Sequence, residues 1–266
     1  MTWRDDLTLP ERHLGLVQAG EHGDLEAFFD RAAALVADDE AALIRLARPW
    51  AGNGGRASAA DGVAPLPPLG QRIAVADDEA FAFRYPHVLD GWRAAGAQIT
   101  PFSPLADEGP PADADAVYLP GGYPELHAGR LAANGRFLEG RRGAAGRGAV
   151  VFGECGGYMV LGRALVDGNG ESHAMAGLLP LETSFAEPKM RLGYRRAALA
   201  AEGPLGAAGT GFRGHEFHYA RIIEEGPGAP LFQCSDASGH DLGPAGLALG
   251  RVMGSFVHLI DGEGDG

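Results

Sequence analysis

Cysteine is scarce in this chain, with two thiols, Cys155 and Cys234, among 266 residues. Two distant cysteines build no disulfide framework and no C-x-x-C metal pair, so the sequence points to a reducing compartment. Basic charge is also in short supply: 22 Lys and Arg stand against 35 Asp and Glu, for a net charge of −13. A phosphate backbone or an anionic lipid surface repels such a protein, which argues against nucleic acid or membrane as its main partner. No apolar run approaches the ~20 residues of a spanning helix. The start, Met1-Thr2-Trp3-Arg4-Asp5-Asp6, lacks the basic-then-apolar pattern of a secretory leader. A soluble cytoplasmic protein is expected. Apolar residues, by contrast, make up 45% of the chain, enough to bury a core in one large domain or two small ones.

The most informative stretch is Ala149-Val150-Val151-Phe152-Gly153-Glu154-Cys155-Gly156-Gly157-Tyr158-Met159. Its first four residues are apolar and β-prone, as suits a strand buried on both faces of a parallel sheet. Gly153 and Gly157 flank Cys155 at minus two and plus two, the cysteine version of the G-x-S-x-G nucleophile elbow. A helix is expected to follow, its first amides beneath the sulfur lowering the thiol pKa, with the Gly156 N–H placed to donate to an oxyanion. The plainer alternative is a buried structural cysteine beside a glycine-rich turn.

Residues 1 to 50 offer a strand at His13 to Val17 and a helix in which Leu25, Phe28, Phe29, Ala32, Leu35 and Val36 recur at helical spacing, capped by Asp24. That is too little for a domain by itself. Residues 51 to 70 are rich in Gly, Ala and Pro and read as a linker. From Arg72 strands and helices alternate: RIAVA, a helix near Pro86 to Ala95, a strand at Gln98 to Phe102, then DAVYL and further helices up to the cysteine strand. This predicts an α/β fold with a doubly wound, mostly parallel sheet. Ligands in such sheets sit beyond the carboxyl ends of the strands, where both Cys155 and the loop Pro120-Gly121-Gly122-Tyr123-Pro124-Glu125 fall. Gly121 or Gly122 is placed to give a second oxyanion donor, although a glycine-rich turn alone is as readily structural. Beyond about Gly168, short β-prone runs between turns predict an antiparallel edge or lobe.

A catalytic cysteine needs a histidine from elsewhere in the fold to accept its proton and return it to the leaving amine. His258, just past the apolar run Gly254-Ser255-Phe256-Val257, is the candidate by position among nine histidines. Glu216 and His218 alternate on one side of a strand with Phe217 on the other. Either one of them lines a substrate pocket or orients His258, or both form the solvent-facing side of an edge strand. Tyr194, with Arg191 and Arg195, is a further binding candidate or a solvated strand face.

The segments PGGYPE, GECGGYM, GHEFHYAR and GSFVHL, in that order, resemble the cobyrinic (or hydrogenobyrinic) acid a,c-diamide synthases of cobalamin synthesis, and LPERHLGLV is similar to a segment near that family's interdomain linker. The resemblance implies a class I glutamine amidotransferase domain at 71 to 262, joined through the linker at 51 to 70 to the tail, at 1 to 50, of an ATP-dependent synthetase domain. It implies Cys155 as nucleophile and His258 as general base. Read from the residues themselves, Gly121, Gly122 and Gly156 are the candidate oxyanion donors, and Tyr123, Tyr194, Glu216 and His218 the candidate contacts to substrate. The partners implied are L-glutamine and the corrin substrate, cobyrinate or hydrogenobyrinate, with a homodimer left open.

Three positions depart from the wider amidotransferase pattern. Ile260 stands where an orienting glutamate follows the catalytic histidine by two residues, and Met159 where a glutamine follows the cysteine by four. No G-x-x-x-x-G-K-[ST] loop exists in the chain, so ATP and Mg2+ are expected for a complete synthase, with no cofactor and no metal held by these residues. Two other readings stay open: a class I glutaminase serving a different, separate synthetase, and a shortened remnant without catalysis.

Overall fold

The computed structural model describes residues 5–13, 15–36, 44–47 and 63–264. The chain divides into two compact units, Met1–Ser58 and Ala59–Gly266. In the first, strands β1 (Glu11–Arg12) and β2 (Gly15–Leu16) pair antiparallel, and helix α1 spans Leu25–Val36. The strand expected over His13 to Val17 is reduced to two residues because Gly15, at φ 120°, turns the backbone back toward Arg12. Arg12 holds Glu21 through two hydrogen bonds of 2.8 and 2.6 Å.

The second unit begins with β3 (Val63–Ala64) and continues through β4 (Arg72–Ala76), α2 (Pro86–Ala94), β5 (Gln98–Phe102), β6 (Ala116–Leu119), α3 (Ala128–Ala133), α4 (Gly135–Gly146), β7 (Val150–Glu154) and α5 (Gly156–Leu161). Ten further strands follow: β8 (Ala164–Val166), β9 (Ser172–Ala174), β10 (Leu181–Ser184), β11 (Arg191–Leu199), β12 (Gly211–His218), β13 (Arg221–Glu225), β14 (Ala229–Ser235), β15 (Asp241–Leu249), β16 (Val252–Ser255) and β17 (Val257–Glu263).

Eleven strands share one sheet in the order β3-β17-β12-β11-β14-β15-β16-β7-β6-β4-β5, and four form a smaller sheet, β13-β10-β8-β9. The stretch β16-β7-β6-β4-β5 is parallel throughout. From β3 to β16 every pairing is antiparallel, which is the lobe expected beyond Gly168. Residues alternate along the parallel strands between two cores. Ala74, Val117, Leu119 and Val151 face the side covered by α4 and α5 through Phe137, Leu138, Tyr158 and Leu161. Ile73, Val75, Tyr118 and Phe152 face the side covered by α2 through Val88, Leu89 and Trp92. Helices on both faces of a parallel sheet are the α/β, doubly wound arrangement that the strand–helix alternation predicts.

Of the expected linker, residues 51–62 lie outside the described residues. Residues 63–70 belong to the sheet unit instead: Val63 and Ala64 pair with β17, and Leu66 and Leu69 are buried. Two leucines among prolines bury apolar area that a solvated linker would leave in water, roughly 1.5–3 kcal/mol each.

Candidate active site

Every residue of β7 is buried, and the chain turns at Cys155 directly into α5. The turn is sharp enough to place Cys155 at φ 47°, ψ −105°, a backbone conformation that costs a non-glycine residue about 1–3 kcal/mol and marks functional positions. Neighbouring glycines make this possible. A Cβ built on Gly157 would lie 1.9 Å from the Leu119 carbonyl oxygen, so only a bare backbone lets α5 start against the end of β6. The Gly157 N–H donates to the Pro120 carbonyl at 3.1 Å, and the Cys155 N–H to that of Ser255 at 2.8 Å. The elbow is thereby stitched to the ends of both flanking strands.

Three segments converge there. The loop after β6 brings Gly121 so close that an added Cβ would lie 3.4 Å from Cys155 Cβ, 3.3 Å from His258 Nε2 and 2.5 Å from His258 Cε1. Cys155 and His258 therefore both approach one point, the place where a side chain on Gly121 would begin. On the other side of the elbow, a Cβ on Gly156 would lie 3.1 Å from the Gly122 nitrogen. The three glycines expected to serve an oxyanion are in one place.

His258 arrives on β17. After β16 pairs with β7, Phe256 breaks the strand, and β17 turns away to pair with β12 in a register that sets His258 opposite His215. The two imidazoles stack with centroids 4.8 Å apart and planes 4° from parallel, while the Tyr85 ring stands edge-on to His258 at 6.0 Å and 90°. The Tyr85 hydroxyl lies 2.5 Å from His215 Nε2. His258 is 2% exposed, and its Nδ1 has no hydrogen-bond partner among the described residues. Burial, reinforced by the neighbouring His215 and His218, pushes its pKa down to about 3. The imidazole is neutral at rest.

The thiol differs from the sequence expectation. Burial, with Glu125 beside it, raises the Cys155 pKa well above the ordinary thiol range, and the Gly156 N–H offsets this only in part. A helix of six residues does not overcome complete desolvation. The resting group is a thiol, with Sγ 3.8 Å from the Phe217 carbonyl oxygen.

Glu154 is the buried carboxyl next to Cys155. It accepts from the Tyr118 hydroxyl at 2.5 Å and from the Leu259 N–H at 2.9 Å, tying β7 to the strand that carries His258. Burial raises its pKa to about 7 against the pull of those two donors. Nothing in the sequence singled out Glu154, Tyr85 or His215. The third lies inside the GHEFHY motif, but only the β12–β17 register shows what it faces.

Glu216 and His218 do not lie on an exposed edge. β12 runs between β11 and β17, and His218 is 5% exposed. Its Nε2 lies 2.8 Å from Glu216 Oε1 and its Nδ1 3.0 Å from the Ala220 carbonyl, while its ring stacks on Phe256 with centroids 3.8 Å apart. Arg195 Nε donates to Glu216 Oε2 at 2.8 Å. Burial opposes ionisation of Glu216, but the bonds from His218 and Arg195 outweigh it and hold the carboxyl below its usual range. These three groups line a cavity of about 530 Å3, together with Lys189 and Arg191. Tyr123 instead sits in the core, 1% exposed, with its ring 5.0 Å from that of Phe83. Tyr194 is 76% exposed and does not line the cavity.

Among the described residues, Asp167, Glu171 and His173 lie close enough to share an ion, within 4.8 Å of one another. Asp167 is committed to closing its own turn, however, accepting from the Asn169 and Glu171 amides at 2.8 and 3.0 Å and lying 3.0 Å from His173 Nε2. No helix among the described residues is long and apolar enough to cross a membrane.

The family of CobB/CobQ-like glutamine amidotransferase domains matches residues 72–265. The chain is similar to hydrogenobyrinate a,c-diamide synthase of a Sinorhizobium species, with 58% identity over 262 residues, 97% of this chain and 58% of the relative. It is similar also to the protein of the same name from Brucella anthropi, with 55% identity over 255 residues, 96% of this chain and 57% of the relative. The chain thus spans less than two thirds of the length of these curated relatives. A solved structure of PurLQS from Thermotoga maritima is similar over 70% of this chain and 86% of that one, with 21% identity and a TM-score of 0.49. With the family match covering the whole sheet unit from β4 onward, the chain belongs to the CobB/CobQ-like glutamine amidotransferase domain family.

Proposed function

We propose that this chain hydrolyses L-glutamine at Cys155 and supplies the ammonia for amidation of the a- and c-acetate carboxylates of hydrogenobyrinate, or of its cobalt-containing counterpart cobyrinate. The observation that carries the reading is the strained Cys155 at the end of β7, with His258 and the Gly121 backbone closing on the same point. In this reading, Sγ attacks the side-chain carboxamide carbon as the thiol proton passes to His258. The oxyanion is held by the N–H groups of Gly156 and of Gly121 or Gly122. Collapse of the tetrahedral intermediate breaks the C–N bond, the imidazolium returns its proton to the nitrogen, and ammonia leaves a thioester. Water then cleaves the thioester to glutamate with His258 as base. The cavity beside Glu216 and His218 takes the amino-acid end of glutamine, with carboxylate and cationic side chains available for its two charges.

Activation of the corrin carboxylates requires ATP and Mg2+. The residues of this chain do not fit that chemistry, because no glycine-rich turn is followed by Lys-Ser or Lys-Thr and the Asp167 cluster is closed on itself. That step is assigned to a synthetase part such as the longer relatives have room for.

The test is ammonia release from glutamine by the purified chain and by Cys155→Ser. Release that is lost in the variant, with an unchanged circular dichroism spectrum, is the expected result. Release persisting at the wild-type rate removes Cys155 as nucleophile. Saturating ammonium with ATP, Mg2+ and hydrogenobyrinate is expected to yield no diamide until a P-loop synthetase part is added.

A further inference from the structure

A general base must keep one ring nitrogen aimed at the nucleophile through repeated proton transfers, and the usual device is a carboxylate bonded to the other nitrogen. His258 has none. Position 260 is Ile, and the buried Nδ1 has no hydrogen-bond partner among the described residues. The χ2 torsion of a histidine is intrinsically broad, so without such a bond the ring needs some other restraint.

We infer that His215, held by the Tyr85 hydroxyl, is the positioning residue for His258, a flat stacking clamp standing where a carboxylate would otherwise orient the base. The inference rests on the glutaminase reading above. Three observations support it. The rings are parallel within 4° at a centroid separation of 4.8 Å, so His215 covers one face of His258 and limits tilting of that ring toward it. The Gly121 backbone limits the ring elsewhere, with room at that point for no side-chain carbon. His215 cannot drift either, since β12 pairs it directly with His258 and its Nε2 is fixed 2.5 Å from the Tyr85 hydroxyl.

The chemistry of the clamp is consistent with its place. Burial raises the Tyr85 pKa and lowers that of His215, so the hydroxyl keeps its proton and donates it to a neutral His215. A neutral aromatic face beside His258 tolerates the imidazolium that forms during turnover, whereas a second cation would oppose it.

The test uses the full chain and three variants, His215→Ala, His215→Phe and Tyr85→Phe, with glutaminase kcat and KM read separately. A second readout is the Cε1–H resonance of His258 in 13C-histidine-labelled protein, assigned by its loss in His258→Ala. His215→Ala is expected to lower kcat by about 10²-fold, the cost of a misplaced catalytic group, while KM moves less than about threefold. The His258 resonance should shift as the stacked ring current is lost. His215→Phe keeps a ring to stack on and is expected to recover most of both readouts. Tyr85→Phe should fall between, with kcat reduced about threefold or more. A wild-type kcat in His215→Ala, or a Phe variant as poor as the Ala variant, overturns the clamp. If His215→Ala does not fold, an unchanged kcat in Tyr85→Phe overturns it. If the wild-type chain releases no ammonia at all, the glutaminase reading fails instead. The clamp is then judged by the His258 resonance alone, and no shift between wild type and His215→Ala overturns it.

Discussion

The backbone of Gly121 lies so close to His258 that a single methyl group added there would sit 2.5 Å from the imidazole Cε1. Gly121→Ala therefore tests the site with minimal change in composition. The imidazole is a side chain and can rotate away, so the fold should survive while the base leaves its position. We expect glutamine hydrolysis to fall by about 10²-fold or more with a modest change in Tm. Gly157→Ala makes the contrast, because its Cβ would meet the Leu119 carbonyl at 1.9 Å, and backbone on both sides cannot swing clear. That variant should lose stability in the upper range of point substitutions, on the order of 4 kcal/mol, or fail to fold. Thermal denaturation and ammonia release on the same preparations separate the two outcomes.

The two cysteines make a second test. Burial raises both thiol pKa values, that of Cys234 to about 11 and that of Cys155 further, so neither should react quickly with iodoacetamide at neutral pH. A glutamine-shaped electrophile such as a diazoketone analogue brings its own positioning energy and uses His258. It should label Cys155 and spare Cys234, and glutamine should protect. Peptide mapping showing equal labelling at the two positions would remove the argument for an assisted nucleophile.

The elbow was legible in the sequence because its requirements are local: a buried apolar strand, a cysteine and glycines at fixed offsets. The alternation of strands and helices from Arg72 likewise revealed the parallel half of the sheet, since each unit satisfies its own periodicity. What is not local was not legible. His215 and His258 meet only because β12 and β17 pair in one register, and a shift of one residue would turn the two rings to opposite faces. Glu154 reads as one more residue of a buried strand until Tyr118 and Leu259 are seen to meet it. Glu216 and His218 alternate as an edge strand would, and only the neighbour on each side shows that β12 is interior.

That interior position changes what His218 should do. Its ring is stacked against Phe256 and bonded to Glu216 and to the Ala220 carbonyl, at the wall of the cavity proposed for the amino-acid end of glutamine. His218→Ala should cost about tenfold or more in kcat/KM, carried chiefly by KM, because Glu216 and Arg195 lose the partner that fixes them. Glu216→Gln should act in the same direction with a smaller effect, keeping size but weakening the bonds to His218 and Arg195. Steady-state glutaminase kinetics decide this. A His218→Ala enzyme with wild-type KM places glutamine elsewhere.

Glu154 gives the protein a characteristic dependence of stability on pH. Its carboxyl has a pKa near 7 in the folded chain against an ordinary value of 4.5, so over that interval the native state binds a proton that the unfolded state has released. Stability then falls as pH rises. The contribution is fully present below pH 4.5 and is lost as pH climbs through about 7, where the buried group has to ionise in place. At 1.36 kcal/mol for each unit of difference, the whole effect is on the order of 3 kcal/mol. Other carboxylates act oppositely in a lower range: Glu216, held below its usual value by His218 and Arg195, favours the native state as pH rises past the carboxylate range. The wild-type curve alone therefore mixes the two, and the informative quantity is the difference between wild type and Glu154→Gln. The amide is uncharged at every pH and can still accept from the Tyr118 hydroxyl. Measured by urea denaturation from pH 4.5 to 8, wild type minus Glu154→Gln should decline by a few kcal/mol and level off above about pH 7. Parallel curves for the two proteins would show that the carboxyl is ionised throughout, charged beside Cys155 across the whole range.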